Sequence, residues 1–209
     1  MNRQERRRQK KFASAADKPS AQGRARLTSG VRAFREGRYA EAEDAFQKVL
    51  AERPREVQAL HLLGLIEYRT GRLEQAADHL VAASMVDGSD PSIHANLAAV
   101  LNLCGRGAEA EAASRHVLEL RPDNAEAYNN LAVALELQDR IGEAEACGRR
   151  AVELDPAHLE AHINLGNLYF RKGDMAGAAE LYRRAAEIDP TNPMAPGNLG
   201  VVLRRMGDL

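Results

Sequence analysis

Tryptophan is absent from this 209-residue chain, aromatic residues make up only 4% of it, and cysteine occurs twice, as Cys104 and Cys147. With so few rings, neither a large aromatic-lined pocket nor a base-stacking sheet is expected. The two thiols lie far apart in the sequence with no partner motif around them, which excludes a disulfide scaffold. No apolar run approaches the roughly 18 residues that a membrane span needs. The N-terminus is basic but has no apolar core behind it, only Phe12 among Lys, Ala and Ser. No secretory signal is therefore expected, and the cytoplasm is the default location. Runs of β-branched residues are scarce, whereas alanine occurs 37 times, a balance that favours helices. An apolar fraction of 44% and a charged fraction of 28% place the chain among folded, soluble proteins. The net charge of −1 hides an asymmetry, because residues 1–22 carry +5 and the rest −6.

What the chain has in abundance is self-similarity. Pro122, Pro156 and Pro190 recur at one constant interval, and Pro54 lies two such periods before Pro122, with Gly88 in the intervening place. Taking these as position 32 divides the chain into five equal frames, 23–56, 57–90, 91–124, 125–158 and 159–192. A basic tail over 1–22 precedes them, and half a frame over 193–209 follows. Position 8 is then always small (Gly30, Gly64, Ala98, Ala132, Gly166, Gly200), and position 20 is always alanine (Ala42, Ala76, Ala110, Ala144, Ala178). Position 15 is a turn residue each time: Gly37, Gly71, Gly105, Asp139, Gly173 and Gly207. Position 7 is leucine from Leu63 to Leu199, with Ser29 the exception. The pattern predicts two helices of about 13 residues per frame, parted by a glycine turn and ended by proline. Small residues at positions 8 and 20 let the pair cross closely, and leucines at helical spacing supply the buried face.

On these residues the chain resembles the tetratricopeptide repeat family, from residue 23 to residue 209. The resemblance implies an all-α fold, a right-handed superhelical solenoid whose first helices line the concave side. Two departures stand out. Position 4, often Trp in the family, holds Arg26, Leu60, His94, Tyr128, His162 and Pro196. Position 24, normally large and apolar, is Phe46, Leu80 and Tyr182, but Ser114 and Gly148 in the middle repeats. Since glycine inside a helix costs about 1 kcal/mol relative to alanine, repeats three and four are expected to be the softest. The chain stops at the turn into a second helix, leaving residues 199–206 without a cap. The array is expected to be truncated there and to self-associate through that uncapped helix.

In the family, positions 2, 5, 6, 9, 12 and 13 face the groove. Position 6 holds Asn96, Asn130, Asn164 and Asn198 in successive repeats, four of only ten asparagines. Asparagine is a poor helix-interior residue, and its amide offers an acceptor and two donors to an extended backbone. Four free amides in line would grip a peptide irrespective of its sequence, as the resembling asparagine ladder of O-linked N-acetylglucosamine transferases implies; local or solvent bonding is the competing account. Asn129, Asn167, Phe170 and Arg171 flank the ladder at groove positions. A carboxylate clamp is not expected, because positions 2 and 5 of repeats two to five hold no Lys or Arg. His158 and His162 are spaced i, i+4 without an acid or thiol beside them, and His94 and His162 lie two repeats apart, so no metal site is expected. No nucleotide-binding, metalloprotease or nucleophile-elbow motif occurs, and neither enzymatic activity nor a cofactor is expected. The basic tail alone does not predict nucleic-acid binding or membrane insertion. The expected function is a protein-interaction module holding an extended peptide segment in its concave groove. The alternative is the substrate-selecting arm of a glycosyltransferase, sulfotransferase or methyltransferase, since basic-tailed bacterial proteins of this look resemble Spindly-like arms.

Overall fold

The computed structural model describes residues 20–207. The expectation for the basic tail thus lies, from residue 1 to residue 19, outside the described residues. Eleven helices and no strand occur among the described residues: α1 (Ala21–Arg35), α2 (Tyr39–Glu52), α3 (Val57–Arg69), α4 (Leu73–Val86), α5 (Pro91–Leu103), α6 (Gly107–Leu120), α7 (Ala125–Leu137), α8 (Ile141–Leu154), α9 (Leu159–Lys172), α10 (Met175–Ile188) and α11 (Met194–Met206). They form five antiparallel pairs and a single last helix, an all-α helical-repeat solenoid. The first helix starts two residues before the expected boundary at 23, because Ser20 caps it: its Oγ accepts from the Gly23 N–H at 2.8 Å. Asp90, Asn124 and Asp174 cap α5, α7 and α10 in the same way.

Each helix touches its partner and its sequence neighbours. First helices of successive repeats also touch one another, α1 to α3 and on to α9 and α11, whereas successive second helices do not. That asymmetry bends the stack and puts the odd-numbered helices on the inside of the curve. The position-15 turns have φ between 72° and 85° at the five glycines and 58° at Asp139. Only Asp139 carries a side chain in this left-handed conformation, which glycine adopts without steric cost. Asp139→Gly should therefore stabilise the chain by about 0.5–1 kcal/mol, read as a higher urea midpoint, whereas Gly105→Asp should lower it.

The core explains the irregular position 24. A Cβ on Gly30 would lie 2.7 Å from Phe46 Cε1, one on Gly64 2.8 Å from Leu80 Cγ, and one on Gly166 2.7 Å from Tyr182 Cε1. Where position 8 is alanine instead, at Ala98 and Ala132, position 24 shrinks to Ser114 and Gly148. The size is traded within each repeat. Over Gly148 the space is taken by Leu165 of the next repeat, whose Cδ1 would stand 3.0 Å from an added Cβ. The serine is fully buried and its Oγ has no hydrogen-bond partner among the described residues.

The last helix is not bare along its length, as the sequence led one to expect of residues 199–206. Val202 is fully buried against Ala178, Ala179 and Tyr182, while Met194, Val201 and Met206 stay exposed.

Candidate functional site

Residues at positions 5, 6, 9, 12 and 13 of the odd-numbered helices, those expected to face the groove, recur once in each repeat. Four of the eight sequence-predicted residues converge at one place. Asn167, Phe170 and Arg171 of α9 and Asn198 of α11 line a cleft of about 240 Å³ together with Tyr182 and Val201. Its floor is the Tyr182 ring, whose hydroxyl donates to Asn167 Oδ1 at 2.7 Å. Its rim carries the Arg205 guanidinium, stacked 4.6 Å from the Phe170 ring centroid. A much tighter dent, about 10 Å³, lies between repeats four and five beside Asn129, Val133, Glu136, Gly148 and Asn164. Leu165 takes most of the space over Gly148 there, and the Arg171–Glu136 ion pair crosses beside it.

The four position-6 amides are not free as expected of an open ladder. Asn96 Nδ2 donates to His61 Nε2 at 2.8 Å, Asn164 Nδ2 to Asn129 Oδ1 at 3.0 Å, and Asn198 Nδ2 to Asn167 Oδ1 at 3.2 Å. Each bond ties a repeat to the one before it. Burial lowers the pKa of His61 and so favours the neutral ring that can accept from Asn96. Asn130 departs further: it is only 8% exposed, and its Nδ2 has no partner among the described residues. Its backbone oxygen accepts from Asn102 Nδ2 at 2.9 Å. What Asn96, Asn164 and Asn198 still offer is the Oδ1 acceptor, which enters no hydrogen bond among the described residues. Position 6 thus serves first as a clip between repeats.

A second set of clips escaped the sequence reading. Arg72 at position 16 grips Glu43, position 21 of the preceding repeat, with two bonds of 2.7 Å, and Arg140 reaches Glu111 equivalently at 2.7 Å. The hydrogen bond from Arg72 holds the Glu43 carboxyl below the usual carboxylate range. Lys172 plays the same part toward Glu145. The signal was a column of arginines at position 16, Arg38, Arg72, Arg106 and Arg140, facing an interrupted column of glutamates. Position 13 was missed as a set too. It runs Arg35, Arg69, Leu103, Leu137, Arg171, Arg205, all exposed, with Leu103 at 57% and Leu137 at 48%.

His158 and His162 are engaged within the helix they begin. His158 caps α9 by accepting from the Ala161 N–H, and His162 is buried with Nδ1 on the His158 carbonyl oxygen at 3.0 Å. Both cysteines are half-buried and unpaired, and burial pushes both thiols up. No helix among the described residues is long and apolar enough to cross a membrane.

Two family models, each described as tetratricopeptide repeat, match residues 27–89 and 138–193 and residues 90–157. No curated protein matches the chain at a significant level. Among solved structures, a MamA fragment from Desulfovibrio magneticus RS-1 superposes with a TM-score of 0.73 at 20% identity, covering 84% of this chain and 99% of that one. YrrB, described as a TPR protein with an unusual peptide-binding site, gives a TM-score of 0.67 at 20% identity, over 82% of this chain and 89% of its own. A thermophilic TPR protein from Thermus thermophilus gives 0.69 at 20% identity, over 87% and 99%. At such identities the likeness is one of fold.

Proposed function

This chain belongs to the tetratricopeptide repeat family, whose fold is a protein-interaction module, and from that premise we propose that it holds an extended peptide along its inner face. The observation that carries the reading is the cleft formed by Asn167, Phe170, Arg171, Asn198 and Val201. It combines an apolar ring, a guanidinium and amide oxygens on one concave surface, the mix that fixes a peptide's side chain and backbone together. The revised ladder contributes acceptors for peptide N–H groups through Asn96, Asn164 and Asn198, while Asn129 holds Asn164 in place. The rim sequence of two arginines, two leucines and two arginines fits a partner whose apolar centre is flanked by acidic residues.

The test is a random-peptide display selection against the full chain. It should return segments with apolar residues between Asp or Glu, and binding should shift the backbone amide NMR signals of α5, α7, α9 and α11. Shifts confined to the even-numbered helices would overturn the groove reading.

A further inference from the structure

Two imidazoles meet at the one inter-repeat turn within the five frames where glycine replaces proline. His94 of α5 and His116 of α6 have ring centroids 4.2 Å apart with planes inclined at 60°. Both aim Nε2 at a single backbone oxygen, that of Gly88, at 3.2 Å from His94 and 2.8 Å from His116. On its other side, His116 places Nδ1 3.3 Å from Glu119 Oε2.

A neutral imidazole has one N–H and one lone pair. If the Nδ1–H of His116 is given to the Glu119 carboxylate, its Nε2 lone pair confronts the lone pairs of the Gly88 carbonyl. A cation between them removes the conflict, and a carboxylate on the far nitrogen is the usual way a metal-bound histidine is oriented. The distances agree. In the square-planar shell that Cu²⁺ favours, adjacent donors with bonds of about 2.1 Å stand about 3.0 Å apart, and the two observed separations from the carbonyl oxygen bracket that value; a tetrahedral Zn²⁺ shell asks for about 3.4 Å and fits less well. Asp87 and Asp90 act electrostatically on His94 from the same turn, adding negative charge that favours a cation.

We propose that His94 Nε2, His116 Nε2 and the Gly88 carbonyl oxygen form a binding site for one divalent transition-metal ion of the imidazole-preferring class, Zn²⁺ or Cu²⁺, with water completing its shell. Among the described residues no three His, Cys, Asp or Glu side chains group into a metal site; the third protein donor here is backbone. The ion would pin the turn before α5 to α6, supplying the stiffness that proline gives the other turns. Cu²⁺ should bind more tightly than Zn²⁺, as imidazole sites generally prefer it.

Titration calorimetry of the untagged, chelator-stripped full chain with ZnCl₂ and with CuCl₂ should show one saturable equivalent. His94→Gln and His116→Gln should each weaken it by at least about tenfold, and Glu119→Gln, which disturbs only the orienting carboxylate, by about tenfold. A readout that needs no variant comes from adding substoichiometric CuCl₂ and following the histidine ring protons by NMR. Those of His94 and His116 should broaden before those of His61, His79, His158 and His162. Absence of a saturable heat, an affinity unchanged in both histidine variants, or uniform broadening of all six rings would overturn the site.

Discussion

Replacing Gly166 by alanine should destabilise the chain in its natural background and stabilise it once Tyr182 has been cut to alanine. In the natural background the new methyl meets Cε1, Cδ1 and Cζ of the ring at 2.7, 3.0 and 3.2 Å. The ring is only 2% exposed, and its hydroxyl is bonded to Asn167, so it has little room to retreat. Overpacking of this kind costs about 1–3 kcal/mol, against the roughly 1 kcal/mol that alanine gains over glycine in a helix. Tyr182→Ala alone leaves a cavity and should cost about 3–4 kcal/mol. In the double variant the methyl enters vacated space, and only the helix gain remains. The second substitution should then raise stability by about 1 kcal/mol. Urea unfolding of the four proteins measures the cycle. Additive effects would show that positions 8 and 24 do not compensate within a repeat.

The second large effect is expected in binding. Against an acidic peptide obtained by display, Arg171→Glu should weaken affinity about a hundredfold, because it adds repulsion to the loss of a charge partner. The substitution also sets a second carboxylate opposite Glu136, so circular dichroism must show the helices intact. Phe170→Ala should weaken binding about tenfold or more, as truncating a buried aromatic anchor does. Asn164→Ala should cost a similar factor in affinity and, unlike a free amide, about 1 kcal/mol in stability, since it severs the bond to Asn129. Titration calorimetry and urea midpoints separate the two. An Asn164→Ala protein that binds normally but melts earlier would leave position 6 a structural clip alone.

The fold was legible because one environment recurs in every frame of the repeat. Leu63 and Leu165, or Ala42 and Ala178, face the same neighbours, so a column of like residues announces its own burial. Compensation between Gly166 and Tyr182 was hidden, because it runs across two columns within one repeat, and each column alone looks merely variable. The asparagines show a second limit. Their shared position fixed the face they stand on, yet their partners differ: position 5 of the preceding repeat for Asn96 and Asn164, a histidine in one and an asparagine in the other, and position 9 for Asn198. A side chain's bonding depends on what the preceding repeat happens to present, and periodicity carries no record of that. His94 and His116 sit on two different helices, at a separation that no linear motif would single out.

The carboxylate at position 21 gives way to Ala77 in repeat two, so the Arg106 guanidinium reaches that repeat through Glu74 instead, at 3.4 Å, and pairs otherwise with Glu109 beside it. Among the described residues no helix contacts another more than two places along the chain, so nothing remote can brace that joint. The solenoid is therefore a spring with a different catch at each joint, a two-pronged Arg72–Glu43 pair at the first and the Asn96–His61 bond beside a longer Arg106–Glu74 contact at the second. Pulled from its ends, such a spring would lengthen its groove joint by joint, each one yielding as its own catch is released.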